Sequence, residues 1–256
     1  MKRKLFEILV ASLILIAARQ AQAQFEGTFT VDTYSYAGNG HAIPQKAIHV
    51  AMTPDRILIQ GLQGTQMPKE LGGIQSDAIL VRSDKKDFII FGDNKKALQV
   101  QKSDVENLVN MSNSLSSFSG SASSSKNHKP KTVVTQETKK IDGYTCQKIQ
   151  VTQTDKEGHH NRTDVWVTKQ IPVKWGMLAG SWNISDQDLA ELLSPSWLKD
   201  GAMPLSMEFY QDGSKKYAMK VTGLKKEKVP SSQTDIPAGY QLVTIRQLLM
   251  NQMFGN

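Results

Sequence analysis

The chain has 256 residues, a formal net charge of +7 and one cysteine. This length suits one large domain or two small ones with a sizeable core. Cys146, as the single cysteine, excludes an internal disulfide and any metal site built from several cysteines. The lysines are scattered as pairs in predicted turns rather than gathered on a basic helix, which argues against nucleic-acid binding.

The first residues have the pattern of an export signal. A basic start, Lys2-Arg3-Lys4, is followed by an apolar run from Ile8 to Ala18 and by the small-residue motif Ala21-Gln22-Ala23. This pattern predicts a signal peptide over residues 1–23, cleaved after Ala23. The apolar run is too short for a membrane-spanning helix, which needs roughly 20 residues. We therefore expect a soluble periplasmic or secreted protein that does not span a membrane.

Short alternating segments separated by turn signals predict consecutive antiparallel strands instead of strands that alternate with long helices. The Asp212-Gly213 pair is the strongest hairpin signal. In a predicted strand, the lone Cys146 is expected to be a small buried hydrophobic residue, with a reactive or intermolecular thiol as the alternative. The predicted strands are Phe25–Tyr36, Ala47–Met52, Arg56–Gln60, Ile79–Arg82, Phe88–Phe91, Ala97–Gln101, Thr132–Lys139, Tyr144–Thr154, Arg162–Thr168, Pro204–Tyr210 and Lys216–Leu224.

Helices are predicted at three places. A capping box from Ser103 to Glu106 starts the first, which fades by Met111. The segment Ile171–Trp197 should hold short helices, and Leu242–Phe254 has apolar residues at helical spacing. Between them, Ser112–Lys129 is rich in serine and has no apolar periodicity, so we expect a flexible loop within a single domain over residues 24–256.

Motifs for catalysis or metal binding are weak. Three S-x-x-K matches, which start at Ser83, Ser123 and Ser196, lack the S-D-N and K-T-G elements that such enzymes need. His159 and His160 are adjacent and would point apart on a strand, which disfavours a shared zinc ion. We therefore expect no enzyme, no metal and no cofactor. A pair of acidic catalytic residues without a recognisable motif remains an alternative.

Apolar residues cluster on elements that a curved sheet would bring together. Such a set forms either ordinary core or the lining of a ligand pocket, and methionine suits a variable acyl chain. A half-barrel does not close completely over its interior, which keeps the pocket open as an interpretation. The candidate ligand-binding residues are Met177, Leu178, Trp182, Trp197, Leu205, Met207, Phe209 and Met219.

Four motifs in order carry a resemblance to a known family. They are Ile141–Lys148, Asp164–Thr168, Gly201–Leu205 and Asp235–Tyr240. The series resembles a family of envelope proteins common in Bacteroidota, known only as domain of unknown function 4412. That family is similar in shape to the lipoprotein carriers LolA and LolB. The resemblance implies an α+β fold in which a strongly curved antiparallel sheet, a half-barrel, wraps over a few short helices. It supplies no catalytic residues.

These observations indicate two candidate functions. The first is a soluble exported envelope protein that binds a lipid or the acyl chain of a lipoprotein in a cavity between the sheet and the helices. The second is a protein-interaction or envelope-stress module that binds another envelope protein and no small molecule.

Overall fold

A computed structural model describes residues 24–66, 75–107, 110, 130–155, 157–181, 183, 195, 198 and 200–254. The predicted signal peptide, the predicted loop at 112–129 and the predicted site residues Trp182 and Trp197 lie outside these residues. The strands are β1 (Gly27–Tyr36), β2 (Ala42–Met52), β3 (Arg56–Gln66), β4 (Gln75–Arg82), β5 (Asp87–Gly92), β6 (Lys96–Gln101), β7 (Lys131–Ile141), β8 (Tyr144–Thr154), β9 (His160–Thr168), β10 (Met203–Gln211), β11 (Ser214–Lys226) and β12 (Gln241–Thr244).

All twelve strands form one open sheet in the order β12-β6-β5-β4-β3-β2-β1-β11-β10-β9-β8-β7. The chain builds two runs of neighbouring antiparallel strands, β1 to β6 and β7 to β11. The pairing of β1 with β11 joins the two runs. Neighbouring strands are antiparallel throughout except for β12, which lies parallel to β6. The prediction of a large antiparallel sheet is therefore confirmed.

The strand register places separate hydrophobic clusters on the two faces of the sheet. Ile57 and Val81 belong to the cluster on one face, whereas their neighbours Leu58 and Leu80 belong to a separate cluster on the other. Successive side chains of a strand point to opposite faces of the sheet, so neighbouring residues belong to different clusters. Residues 229–240 continue from β11, and Ile236 and Tyr240 from this segment pack against the second cluster. Both faces of the sheet therefore bury apolar side chains.

The sheet is strongly curved, as its cross-connections require. Val173 donates its backbone N–H to Gly201 just before β10, and Met177 donates its own to the Ser83 hydroxyl just after β4. In a flat sheet, β4 and β10 would lie about 24 Å apart, at about 4.8 Å per strand. Four residues of chain reach only about 14 Å. The two halves of the sheet must therefore bend toward each other around this segment.

Helices contribute little to the described residues. Residues 102–107 are helical, and a helix spans Ile245–Phe254. Short 3₁₀ segments occur at Asp93–Lys95, Gly176–Ala179 and Ser231–Thr234. The predicted wrapping of the sheet over several helices is thus seen only in part, because most of the residues predicted to be helical within 185–200 lie outside the described chain.

The prediction of a helix starting at Leu242 was wrong for its first residues. Gln241–Thr244 is instead the strand β12, which pairs with β6 from Lys96 to Gln99. Leu242 and Ile245 have helical spacing, but four residues are too few for the strand period to show. Pairing with the free edge of β6 decides the conformation, and the helix begins at Ile245.

Cys146 is fully buried, as expected of a small hydrophobic residue. Its thiol lies 3.6 Å from the carbonyl oxygen of Tyr144. Burial raises the pKa of this thiol above its usual value, because desolvation disfavours the thiolate. The buried environment of Cys146 disfavours a reactive thiol.

Two hairpins are tied together at the end of the sheet. Asp212 and Gly213 both have positive φ, at 49° and 78°, as the predicted two-residue turn requires. The Asp212 carboxylate accepts from the backbone N–H of His160 at 2.9 Å and contacts Nδ1 of His159 at 2.7 Å. This hydrogen bond to the carboxylate raises the pKa of His159. His159 therefore forms a contact between the β8–β9 turn and the β10–β11 turn.

We expect the His159 pKa to lie above the ordinary value of about 6.5 and to fall toward it in the variant Asp212→Asn. Asparagine tolerates the positive φ at this position, so the turn should persist. A raised pKa means that the pair stabilises the fold fully below pH 6.5 and loses this effect as the pH rises through the raised value. An NMR titration of the imidazole measures it, with Asp200→Asn as a remote control. An unchanged His159 pKa in Asp212→Asn would contradict the assignment.

The sheet order adds a length requirement for the connection between β6 and β7. These strands are second and last in the order, so a flat sheet would separate them by about 48 Å, and curvature shortens this distance. We expect that replacing residues 112–129 with a Gly/Ser segment of equal length changes the free energy of unfolding by no more than about 1 kcal/mol. A link of about four residues should cost more, because extended chain spans only about 3.4 Å per residue and residues 102–107 of the connection are helical and therefore shorter. Urea unfolding of both variants tests this, and equal stability would contradict it.

Candidate functional site: an apolar cavity

An apolar cavity of about 210 Å³ lies between the curved sheet and residues 171–180, here called the crossing segment. Of its lining residues, only Ser206 has a hydroxyl group, and none is charged. The lining residues are Phe29, Val31, Val50, Ile57, Ile59, Trp175, Leu178, Met203, Pro204, Leu205, Ser206, Met207, Met219 and Val221.

The sheet side of the cavity follows from strand register. Val50 of β2 lies opposite both Phe29 of β1 and Ile59 of β3. Directly opposed residues on paired strands share a face, so these three side chains form one row. On the other half, Met207 of β10 lies opposite Met219 of β11. The β1–β11 pairing brings the two rows together in one wall.

The crossing segment covers this wall and is held at both ends. The indole Nε1–H of Trp175 donates to the carbonyl oxygen of Ala202 at 2.9 Å. The backbone N–H of Met177 donates to the Ser83 hydroxyl at 3.1 Å. Lys174 forms an ion pair with Asp55 at 2.8 Å. With its one polar atom bonded outside the cavity, Trp175 presents an apolar ring to the interior.

Gly176 makes the close approach to Ser83 possible. Its φ of +56° is a conformation that residues with side chains rarely adopt. A Cβ added here would also collide with the Ser83 side chain. Only glycine therefore fits both the turn and the contact that docks the crossing segment.

An exposed apolar row continues from the cavity toward the hairpin ends. Tyr217 lies opposite Phe209 and Ser35, and Ser35 lies opposite Ile43. Met219, at the cavity wall, is 43% exposed, and Tyr217 is 58% exposed. Apolar side chains thus continue from the cavity to the surface, beside Thr33 and Ser35 on the neighbouring strand β1.

The structure brings together four of the eight sequence-predicted site residues, namely Leu178, Leu205, Met207 and Met219. Met177 is buried in the core cluster and does not line the cavity. Phe209 does not line the cavity either, since its ring packs beside Tyr217 with centroids 6.1 Å apart. Trp182 and Trp197 lie outside the described residues.

Half of the lining residues that sequence reasoning missed come from β1 to β3. Phe29 lies between two threonines and Val50 follows the exposed His49, so β1 and β2 could be recognised by alternation, whereas Ile57 of β3 is followed by the buried Leu58. What the alternation does not show is that β1 pairs with β11, which places these residues beside Met219. Trp175 carries a weaker signal, as one of the tryptophans of the segment Ile171–Trp197.

A larger groove of about 760 Å³ lies on the opposite face, between the sheet and residues 232–240. Its lining includes the ionisable side chains His49, Asp77, Lys225 and Asp235. Because charges of both signs line it, no single ligand class is favoured there. The described residues contain no group of three or more His, Cys, Asp and Glu side chains that could hold a metal ion.

The family model for a domain of unknown function, DUF4412, matches residues 81–240, more than half of the chain. The chain therefore belongs to this family. The match includes the crossing segment and β5 to β11 but not β1 to β3. No curated protein matches the chain in sequence. Among the described residues, no helix has the length and apolar character needed to cross a membrane.

Several solved structures are similar to this chain over most of its length. PNGF-II is 16% identical, with 86% of this chain and 31% of that chain covered and a TM-score of 0.43. The present chain thus spans less than a third of the length of PNGF-II. A LolA superfamily protein from Nitrosomonas europaea is 10% identical over 83% of this chain and 91% of that chain, with a TM-score of 0.32. The Mycobacterium tuberculosis lipoprotein LppX is 13% identical over 84% and 92%, with a TM-score of 0.30.

The variant Gly176→Ala should lower the free energy of unfolding by about 1 to 3 kcal/mol, because it forces an unfavourable φ and displaces Ser83. Gly38→Ala is the matched control, since Gly38 has no atom within 4 Å of the added Cβ. Urea unfolding followed by tryptophan fluorescence measures both. Equal stability of the two variants would show that the crossing segment does not depend on its contact with Ser83.

Proposed function

We propose that this chain is a soluble, exported envelope protein that binds an apolar ligand, either a lipid or the acyl part of a lipoprotein, in the cavity under the crossing segment. The observation that carries the proposal is the wall itself, in which Ser206 is the sole residue with a polar side-chain oxygen. The proposal assigns the chain no catalytic step.

The size and chemistry of the cavity support an alkyl chain. An apolar cavity of about 150 Å³ is known to bind benzene, and this one measures about 210 Å³. It therefore has room for part of an acyl chain. The rest would follow the apolar row from Met219 to Tyr217. Burial of that surface is favourable by about 25 cal/mol per Å².

A charge at the mouth should prevent binding. In Met219→Glu, an acyl chain that enters would desolvate the new carboxylate, so the affinity for a fluorescently labelled palmitate should fall at least about tenfold. Because Met219 is already 43% exposed, the variant should fold. Fluorescence titration measures the affinity, and circular dichroism checks the fold.

Leu242→Glu is the matched control, because Leu242 has a similar exposure, at 40%, and lies outside both the cavity wall and the exposed row. Its affinity should stay within about twofold of the wild type. If both variants bind the palmitate as the wild type does, the ligand does not use this cavity. If Leu242→Glu alone loses binding, the palmitate does not bind in this cavity.

Export is part of the proposal and rests on the leader pattern of residues 1–23. We expect the protein recovered from the envelope fraction of its own cells to begin at Gln24. Mass spectrometry of the N-terminal peptide measures this. An intact Met1 in that fraction would indicate an uncleaved anchor in place of a signal peptide.

A second candidate function, docking of another envelope protein, is favoured by the outermost strand. β7 lies at one edge of the sheet and is exposed along most of its length, including Val133 and Val134. Such an edge offers unpaired backbone groups to another strand. Native mass spectrometry separates the two functions, since a carrier retains lipid mass whereas a docking module retains protein mass.

A further inference from the structure

A polar groove of about 460 Å³ lies at the end of β7 to β10, away from the apolar cavity. Its basic lining residues are Lys131, His160 and Arg162, and none of its lining residues is acidic. The register shows that it lies on the opposite face from Met207, because Arg162 pairs with Tyr210 whereas Met207 pairs with Val165. The groove is therefore a separate site of a different chemistry.

The guanidinium of Arg162 is held in place from two sides. It stacks on the ring of Tyr210, with the central carbon 4.2 Å from the ring centroid. Its Nε lies 3.3 Å from a carboxylate oxygen of Asp164, which is almost fully buried. The Tyr210 hydroxyl is held in turn, since it donates to Glu208 at 3.1 Å. This support restricts the guanidinium before any ligand arrives.

The carboxylates that support Arg162 and Tyr210 also have lysine partners, so they offset only part of the positive charge at the groove. Asp164 also lies 3.5 Å from the ammonium of Lys148, and Glu208 lies 2.6 Å from that of Lys215. Within the described part of the chain, no side-chain acceptor contacts the terminal nitrogens of Arg162 or the ammonium of Lys131. Two cationic groups therefore have donors to spare.

Lys131 and Arg162 are spaced to share one anion. Both lie opposite Thr152, on either side of it, which separates their backbones by about 10 Å. Two long side chains can converge on one group across that distance.

We propose that this groove binds a phosphate group, with the Arg162 guanidinium as a two-pronged donor and Lys131 as a second cation. A guanidinium matches phosphate oxygens in pairs, which gives orientation as well as attraction. The groove exceeds what a bare phosphate fills, so the natural ligand carries the phosphate on a larger polar group.

The test uses inorganic phosphate as the probe, at constant ionic strength, with binding followed by NMR on the full mature chain. The wild type should show saturable shifts at Arg162 and Lys131. Arg162→Gln should weaken phosphate binding about tenfold, and Lys131→Gln about threefold. Lys169→Gln is the control, because Lys169 is an exposed lysine outside the groove, paired with Asp200. That variant should bind phosphate as the wild type does.

Lys131→Gln changes an exposed position at the start of β7, so it reports on binding even if Arg162→Gln does not fold. The proposal is overturned if the wild type shows no saturable binding, if Lys131→Gln binds phosphate unchanged, or if Lys169→Gln loses as much affinity as Lys131→Gln. Two further probes identify the source of the phosphate. Tighter binding of glycerol 3-phosphate indicates a soluble ester, and tighter binding of dihexanoyl phosphatidic acid indicates a lipid head group.

Discussion

The pairing of β1 with β11 is the contact on which the rest of the structure depends. It joins strands nearly two hundred residues apart, from Gly27 opposite Lys226 to Ser35 opposite Tyr217. Without it, β1 to β6 and β7 to β11 would be two smaller sheets, each with an open edge. The apolar cavity exists because this seam places Val31 beside Val221, so that a single wall contains residues from both runs.

The curvature of the sheet follows from the crossing segment, which packs over the pairing of β1 with β11. The crossing segment reaches from Ala202 to Ser83 and can make both contacts only if the sheet bends. Residues 229–240 cover the other face, where Arg56 donates to the carbonyl oxygen of Thr234 at 3.0 Å and forms an ion pair with Asp235. The hydrogen bond between Arg56 and the carboxylate of Asp84 raises the pKa of Arg56. Segments outside the strands therefore pack against both faces of the sheet and support it.

The sequence predicts the strands well because alternation is local. Ile48, Val50 and Met52 reveal β2 without reference to any other strand, and Asp212-Gly213 reveals a turn. Sheet order is a long-range property, and nothing in the local pattern shows that β6 and β7 lie at distant positions or that β12 pairs with β6. The same limit applies to the cavity, of which the residues after position 170 were predicted in part and those before position 60 were not.

The two faces of strands β7 to β10 carry side chains of different chemistry, apolar on one face and polar on the other. Met207 and Phe209 alternate with Glu208 and Tyr210, so each step along β10 changes from apolar to polar. The apolar residues continue the cavity wall and the exposed row. Of the polar ones, Tyr210 stacks on Arg162 and donates its hydroxyl to Glu208. Because backbone alone separates the faces, a ligand on one side contacts the same strands that position the other site.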